Sequence, residues 1–254
     1  MVILRKEQMA LFNALPRLLF EKRLIRHFFR FYERECKDLG EDQVHLVIKY
    51  GIEKAEKYGY SSQRDIGFFI SLMFLFGSGF DNDPQLPWAK SGLEDASVED
   101  TSDRIGKVWS NAMLYIDTVA GESNEHLVVA MKKLRDYDFS AIRQMQGNKF
   151  KTHANTVLTE LYPTKCEYHK EEITRQLVLD GMATAKSFGL EDNESVIMFL
   201  ILKLFLGGEF YMDPLYPWIS AILNDDTLNS VEKSQRLNNS ARQYLSKALT
   251  QPLK

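Results

Sequence analysis

"GFDNDPQLPW" occupies residues 79–88, and "EFYMDPLYPW" occupies residues 209–218. Both spell Phe-x-x-Asp-Pro-x-x-Pro-Trp, 130 residues apart. Sliding the chain against itself by that interval aligns residues 32–95 with 162–225 without a gap, and sixteen of the 64 pairs are identical. Average composition would give roughly four. The identities include Cys36/Cys166, Gly51/Gly181, Ala55/Ala185, Gly59/Gly189, Phe69/Phe199 and Gly77/Gly207. Outside this block the match resumes with small gaps: "ILRKEQM" near the start faces "IRQM" at 142–145, and "DRIGKVWSNAMLYI" faces "QRLNNSARQYLSKA". The chain therefore reads as two tandem pseudo-repeats, 1–120 and 140–254, each a module of four to five helices. Residues 121–139 join them and carry apolar and charged residues at helical spacing, so a linking helix is expected there.

Periodicity and punctuation set the elements of one copy. A first helix is expected over 5–34 and a second over 41–58, with Val44, Val47, Ile48, Gly51, Ile52 and Ala55 on one stripe. Gly59 and Gly189 stand where a left-handed cap residue belongs. A wholly apolar helix follows at 64–76, then a short one at 87–93 and an amphipathic one at 98–119. No stretch alternates with period two long enough to make a strand, so the fold class is all-α. The two greasiest runs, 66–77 and 196–208, are near a dozen residues, against about 20 needed to span a bilayer, and so belong at the centre of a helical bundle.

Within the repeated stretch, Asp83 can accept from backbone N–H groups, and Pro84 presets φ for the next position. A helix starting at Pro84 would set the Pro87 ring against the Asp83 carbonyl, so a turn over 83–86 with the helix starting at Pro87 fits both prolines. Phe80 and Trp88 then pin the ends of the turn to the core. In the functional alternative, the loop side chains Phe80, Asp81, Trp88, Tyr211, Tyr216 and Trp218 line a recognition groove. Asp81 is replaced by Tyr211 in the second copy, and no glutamate stands at a calcium-loop distance, so a metal is not expected.

Composition narrows the classes of function. A 44% hydrophobic and 26% charged chain is globular, and a formal charge of −3 gives no global basic field for nucleic acid. Two cysteines are too few for a disulfide framework. Cys166-x-x-His169 resembles half a zinc site, but Leu39 faces His169 in the first copy and no second pair completes four ligands. There is no His-Glu-x-x-His, no Gly-x-Ser-x-Gly and no phosphate loop, so no catalytic residues and no cofactor are assigned. The opening residues carry no apolar signal segment, and a cytoplasmic location is expected. The first helix is basic and aromatic: Arg5, Lys6, Arg17, Lys22, Arg23, Arg26, Arg30 and Arg34 are interleaved with Phe12, Phe20, Phe28, Phe29, Phe31 and Tyr32. Its plain reading is an amphipathic helix with a solvated basic face; its functional reading is contact with nucleic acid, a membrane surface or an acidic protein, with Arg23, Arg26 and Arg30 as the candidate contacts. The acidic run "LEDASVEDTSD" at 93–103 offers the opposite charge.

The residues "EQM", "GIEKAEKYGY", "FISLMFLFGSGFDNDPQLPWA" and "DRI" resemble a group of bacterial helical proteins encoded beside type VI secretion spike, adaptor and toxin genes. The resemblance covers nearly all of the first copy and more loosely the second, where Met212, Tyr216 and Ile219 depart from the pattern. It implies a protein that handles a secreted effector inside the producing cell. The expected function is a non-enzymatic protein-binding module, a chaperone or adaptor for that effector, with no nucleic acid partner and no membrane insertion. An immunity protein that neutralises a cognate toxin shares the same features, and an enzyme with a site between the copies is the alternative from a different class.

Overall fold

The computed structural model describes residues 6–143, 145 and 147–250, with side chains described from 15 to 247 within those bounds. The helices in order are α1 Lys6–Phe31, α2 Glu33–Leu39, α3 Glu41–Lys57, α4 Gln63–Phe76, α5 Pro87–Leu93 and α6 Thr101–Val119. They continue as α7 Glu125–Arg135, α8 Gly147–Leu161, α9 Pro163–Ser187, α10 Asn193–Leu206, α11 Pro217–Leu223 and α12 Ser230–Thr250. Short 3-10 turns lie at Phe80–Asn82, Phe139–Ile142 and Phe210–Met212. No strand occurs among the described residues, as the all-α reading requires.

Local chemistry explains most boundaries. The Ser62 hydroxyl accepts from Asp65 N at 3.1 Å at the head of α4, and Asp192 accepts from Ser195 N at 2.9 Å at the head of α10. The helix expected from 98 starts instead at Thr101, because the Asp100 carboxylate accepts from both Ser102 N and Asp103 N. Asp95 meanwhile ties Ser97 N into a turn at 3.0 Å.

The single helix expected over 5–34 is corrected to two. It breaks at Tyr32 (φ −121°, ψ 46°), whose ring stacks on Phe28 at 5.3 Å and meets Phe74 at 5.0 Å. Tyr162 breaks the chain in the same way (φ −133°, ψ 72°), and there the cause is legible: Pro163 drives the residue before it out of the helical region. In the first half Glu33 replaces that proline, so ring packing rather than a local signal sets the bend. A second break, at Lys170 (φ 67°, ψ 157°) inside α9, falls 130 residues after Gly40 (φ 81°, ψ 158°). Arg5 and the side chains of Lys6 and Phe12, part of the expected basic helix, lie outside the described residues.

At the centre lie α4 and α10. Ten side chains of α10 are buried. Phe69 packs on Phe80 at 5.0 Å and Phe199 on Phe210 at 4.8 Å, all four buried, each worth about 2–3 kcal/mol of removed apolar surface. Helix α3 approaches α4 closely because Gly51 has no Cβ; one added there would lie 2.6 Å from Ile70 Cγ1. Gly181 meets Leu200 of α10 in the same way. No helix among the described residues is long and apolar enough to cross a membrane.

Candidate functional site: paired corners, a cleft and an apolar patch

Each Asp-Pro corner begins as the sequence suggests. Leu86 N donates to Asp83 O at 2.9 Å and Tyr216 N to Asp213 O at 2.9 Å, after which Pro87 and Pro217 open their helices. The Asp83 Oδ1 accepts from Gln85 N at 2.9 Å, and Asp213 Oδ1 from Leu215 N at 2.8 Å. The second oxygen of each acid leaves its own corner. Asp83 Oδ2 accepts from Gly208 N at 2.6 Å, and Asp213 Oδ2 accepts from Ser78 N at 2.6 Å. The two corners thus hold each other reciprocally. Both acids are buried, and burial raises the carboxyl of Asp213 above its ordinary value against the lowering effect of these bonds.

The backbone carbonyls beside those amides are also satisfied, by different means. Lys54 Nζ donates to Ser78 O at 2.8 Å from α3, whereas Lys203 Nζ donates to Gly208 O at 2.9 Å from α10. Lys54 is paired in addition with buried Asp81, which accepts from Tyr58 Oη at 2.9 Å. In the second corner Tyr211 replaces Asp81 and packs on Phe188 and Phe199.

The residues expected to form a recognition groove therefore scatter. Phe80 and Asp81 are sealed in the core and face no groove. Trp88 is partly buried against Phe76 and Tyr115, while Tyr216 and Trp218 come together on Tyr244, at 6.0 and 5.8 Å. Arg23 and Arg26 are exposed and donate to carbonyls of their own helix, Leu19 O and Lys22 O. Arg30 sits 5.7 Å over Phe31 at the mouth of a cleft. Cys36 and Cys166 are free and buried. His169 Nε2 lies 3.2 Å from Tyr115 Oη, and no group of three or more potential ligands is placed for a metal among the described residues.

The cleft itself was not legible in the sequence. It holds about 930 Å³ and is bounded by α2, the end of α4, the first corner, α6 and the start of α9. Its deep end carries Gln85, Tyr162 and Lys165. Lys165 is of intermediate exposure as a whole residue, but its amine is buried and donates to Leu204 O at 2.5 Å. Burial pushes that amine down to about 8, with Asp83 acting in the opposite sense. His169, under the same burial and beside Lys165, is lowered to about 3 and stays neutral. Position 35, the counterpart of Lys165 at the 130-residue interval, is an exposed glutamate, so helix packing does not demand a lysine here.

A group whose folded value lies below its unfolded one destabilises the native state wherever it is charged. For Lys165 this penalty is full below pH 8 and vanishes as pH rises to 10.5. Lys165→Met is therefore expected to raise stability by about 1–3 kcal/mol at neutral pH, less the lost hydrogen bond to Leu204 O. Urea unfolding at pH 7 and again near 10.5 checks it; a gain that persists at the higher pH refutes the assignment.

A third feature is an apolar patch. Leu46, Tyr50 and Met212 are 57%, 39% and 64% exposed, and with Pro214 they line a shallow groove of about 380 Å³ between α3 and the second corner. Leu46 and Tyr50 lie off the buried stripe of α3, four residues apart on its outer face, which is the signal that could have found them. The positions 130 residues from these three are Gln176, Asp180 and Asn82. Gln176 and Asp180 hydrogen-bond to each other at 2.8 Å in solvent. Compared with known proteins, the chain matches no protein family, no curated sequence and no solved structure.

Proposed function

We propose that the chain is a tandem duplication of one helical module, 1–120 and 140–254 joined through 121–139, and that it works as a non-enzymatic protein-binding scaffold. The recurrence of α4, the corner and α5 as α10, the second corner and α11 supports the duplication. So does the matching break at Gly40 and Lys170.

The observation that carries the binding role is the unequal pair of faces. Similar elements present Leu46, Tyr50 and Met212 on one side and Gln176, Asp180 and Asn82 on the other. The polar set keeps the packing intact, so the apolar set is surplus to folding and is retained for contact with another protein. The partner presents an apolar side chain to this groove. From the resemblance above, we take that partner to be a secreted effector, held by this chain as chaperone or adaptor.

Leu46→Asp with Met212→Asp is expected to weaken partner capture from native lysate about tenfold or more while leaving the unfolding midpoint unchanged. Gln176→Asp serves as the control on the polar face. An effector captured equally well by the double variant would remove the patch from the reading, and a failure to capture any protein with the wild type would remove the reading itself.

A further inference from the structure

The three polar groups at the deep end of the cleft are incompletely partnered. Gln85 is 2% exposed; its amide nitrogen donates to Asp83 Oδ2 at 3.2 Å and Lys203 O at 3.0 Å, which leaves Oε1 buried without a donor. Tyr162 is 4% exposed and its ring packs on Phe205 at 5.3 Å; its hydroxyl makes no hydrogen bond among the described residues and is open to the cleft rather than sealed. The Lys165 amine makes one bond, to Leu204 O, and no carboxylate among the described residues is paired with it. Buried polar groups are ordinarily satisfied and buried cations ordinarily paired. Here two donors, one of them cationic, and one acceptor are left at the closed end of a single cleft.

The walls above them are apolar. Phe31, Tyr32, Phe74, Phe76 and Phe205 contribute the rings, and the volume is that of a small-molecule site. At the mouth, Arg30, Arg34 and Lys37 are matched by Glu33, Glu35 and Asp38, so the entrance selects no sign of charge. Selection falls to the deep end.

We propose that this cleft binds a small carboxylate with an aromatic or apolar body: its carboxylate oxygens accept from Lys165 Nζ and Tyr162 Oη, and a neighbouring O–H or N–H donates to Gln85 Oε1. The ligand gives the Lys165 amine a directly hydrogen-bonded carboxylate, where Asp83 acts on it only from beyond ion-pair distance, and fills the aromatic walls with its body. This site shares no residue with the Leu46, Tyr50 and Met212 groove, so it stands independently of the protein-binding reading.

Three probes separate the contributions: 3-phenyllactate, with carboxylate, hydroxyl and ring; 3-phenylpropionate, without the hydroxyl; and 3-phenyllactamide, without the charge. Calorimetric titration of the full chain is expected to show saturable 3-phenyllactate binding, weaker by about threefold or more without the hydroxyl and by about tenfold or more without the charge. Lys165→Met is expected to weaken 3-phenyllactate by about tenfold or more, and Tyr162→Phe by about threefold. Thermal melts of both variants establish that they remain folded. If either variant fails to fold, 3-phenyllactate must still broaden or shift the wild-type NMR signals of residues 85, 162 and 165. The proposal is overturned if 3-phenyllactate does not saturate the wild type below about 5 mM, if the amide binds as tightly as the acid, or if Lys165→Met binds like wild type.

Discussion

Gly77→Ala is expected to lower stability by about 3–5 kcal/mol, a fall of roughly 10 °C or more in melting temperature for a chain of this size. Two effects add. Gly77 ends α4 at φ +93°, ψ 155°, a region open essentially to glycine alone, where a side chain costs about 1–3 kcal/mol. The new methyl carbon would also stand 2.7 Å from Leu206 O and 3.1 Å from Asp213 Oδ2. Leu206 O is backbone at the end of the opposing buried helix and cannot swing aside. Gly207→Ala is the mirror experiment, with φ +107° and Phe76 O at 2.9 Å. Gly106→Ala is the control: that glycine lies inside α6 with nothing within 4 Å, and alanine there should stabilise by about 0.5–1 kcal/mol. Urea unfolding followed by circular dichroism checks all three. A Gly77→Ala loss under about 1 kcal/mol would show that the helix ends are not apposed.

Asp213→Ala should cost about 3–4 kcal/mol. The carboxylate accepts from Ser78 N and Leu215 N, and its removal leaves one buried and one half-buried amide without acceptors. Burial works against the acid: its folded value is raised, so that part of its contribution is complete below the ordinary carboxyl value and is lost as pH rises through the folded one. This offsets part of the hydrogen-bond gain at neutral pH and keeps the expected loss from being larger. Asp213→Asn separates geometry from charge. Its single acceptor oxygen serves one amide while its NH₂ opposes the other, so it is expected to lose about half as much as alanine. Asp83→Ala should behave alike, and the double variant should fall short of additivity by about 1 kcal/mol, because freeing one corner already slackens the other. Full additivity in denaturant titrations would mean that the reciprocal bonds act independently and that the corners are not one unit.

Much of the secondary structure was readable from local chemistry. The turn at 83–86 and the helix from Pro87 follow from the incompatibility of two prolines with one helix start, and the stops at Gly77 and Gly207 follow from their missing side chains. Where the local signal is weaker, the helix boundaries differ from those expected. The break at Tyr32 has no proline to announce it, and Asp100 captured two amides that the amphipathic pattern alone would have placed inside the helix. The candidate site was far less legible. Phe80 and Asp81 look like loop residues available to a partner, yet one fills the core and the other neutralises Lys54. Lys165 looks like an ordinary surface lysine of an amphipathic helix, because nothing near it in the chain reports that Leu204 O and the first corner close over its amine.

The sequence by itself determined an all-helical chain, most of its helix ends and the recurrence of the Asp-Pro corner, since caps, prolines and apolar periodicity act over a few residues. The tertiary structure alone decided that each aspartate reaches across to the other corner's amide, that Gln85, Tyr162 and Lys165 share one cleft, and that Met212 joins Leu46 and Tyr50. Those pairings link segments far apart in the chain. Hydrogen-bond partners and burial at such separations are set by how helices cross, and no short-range pattern of residue types encodes that crossing.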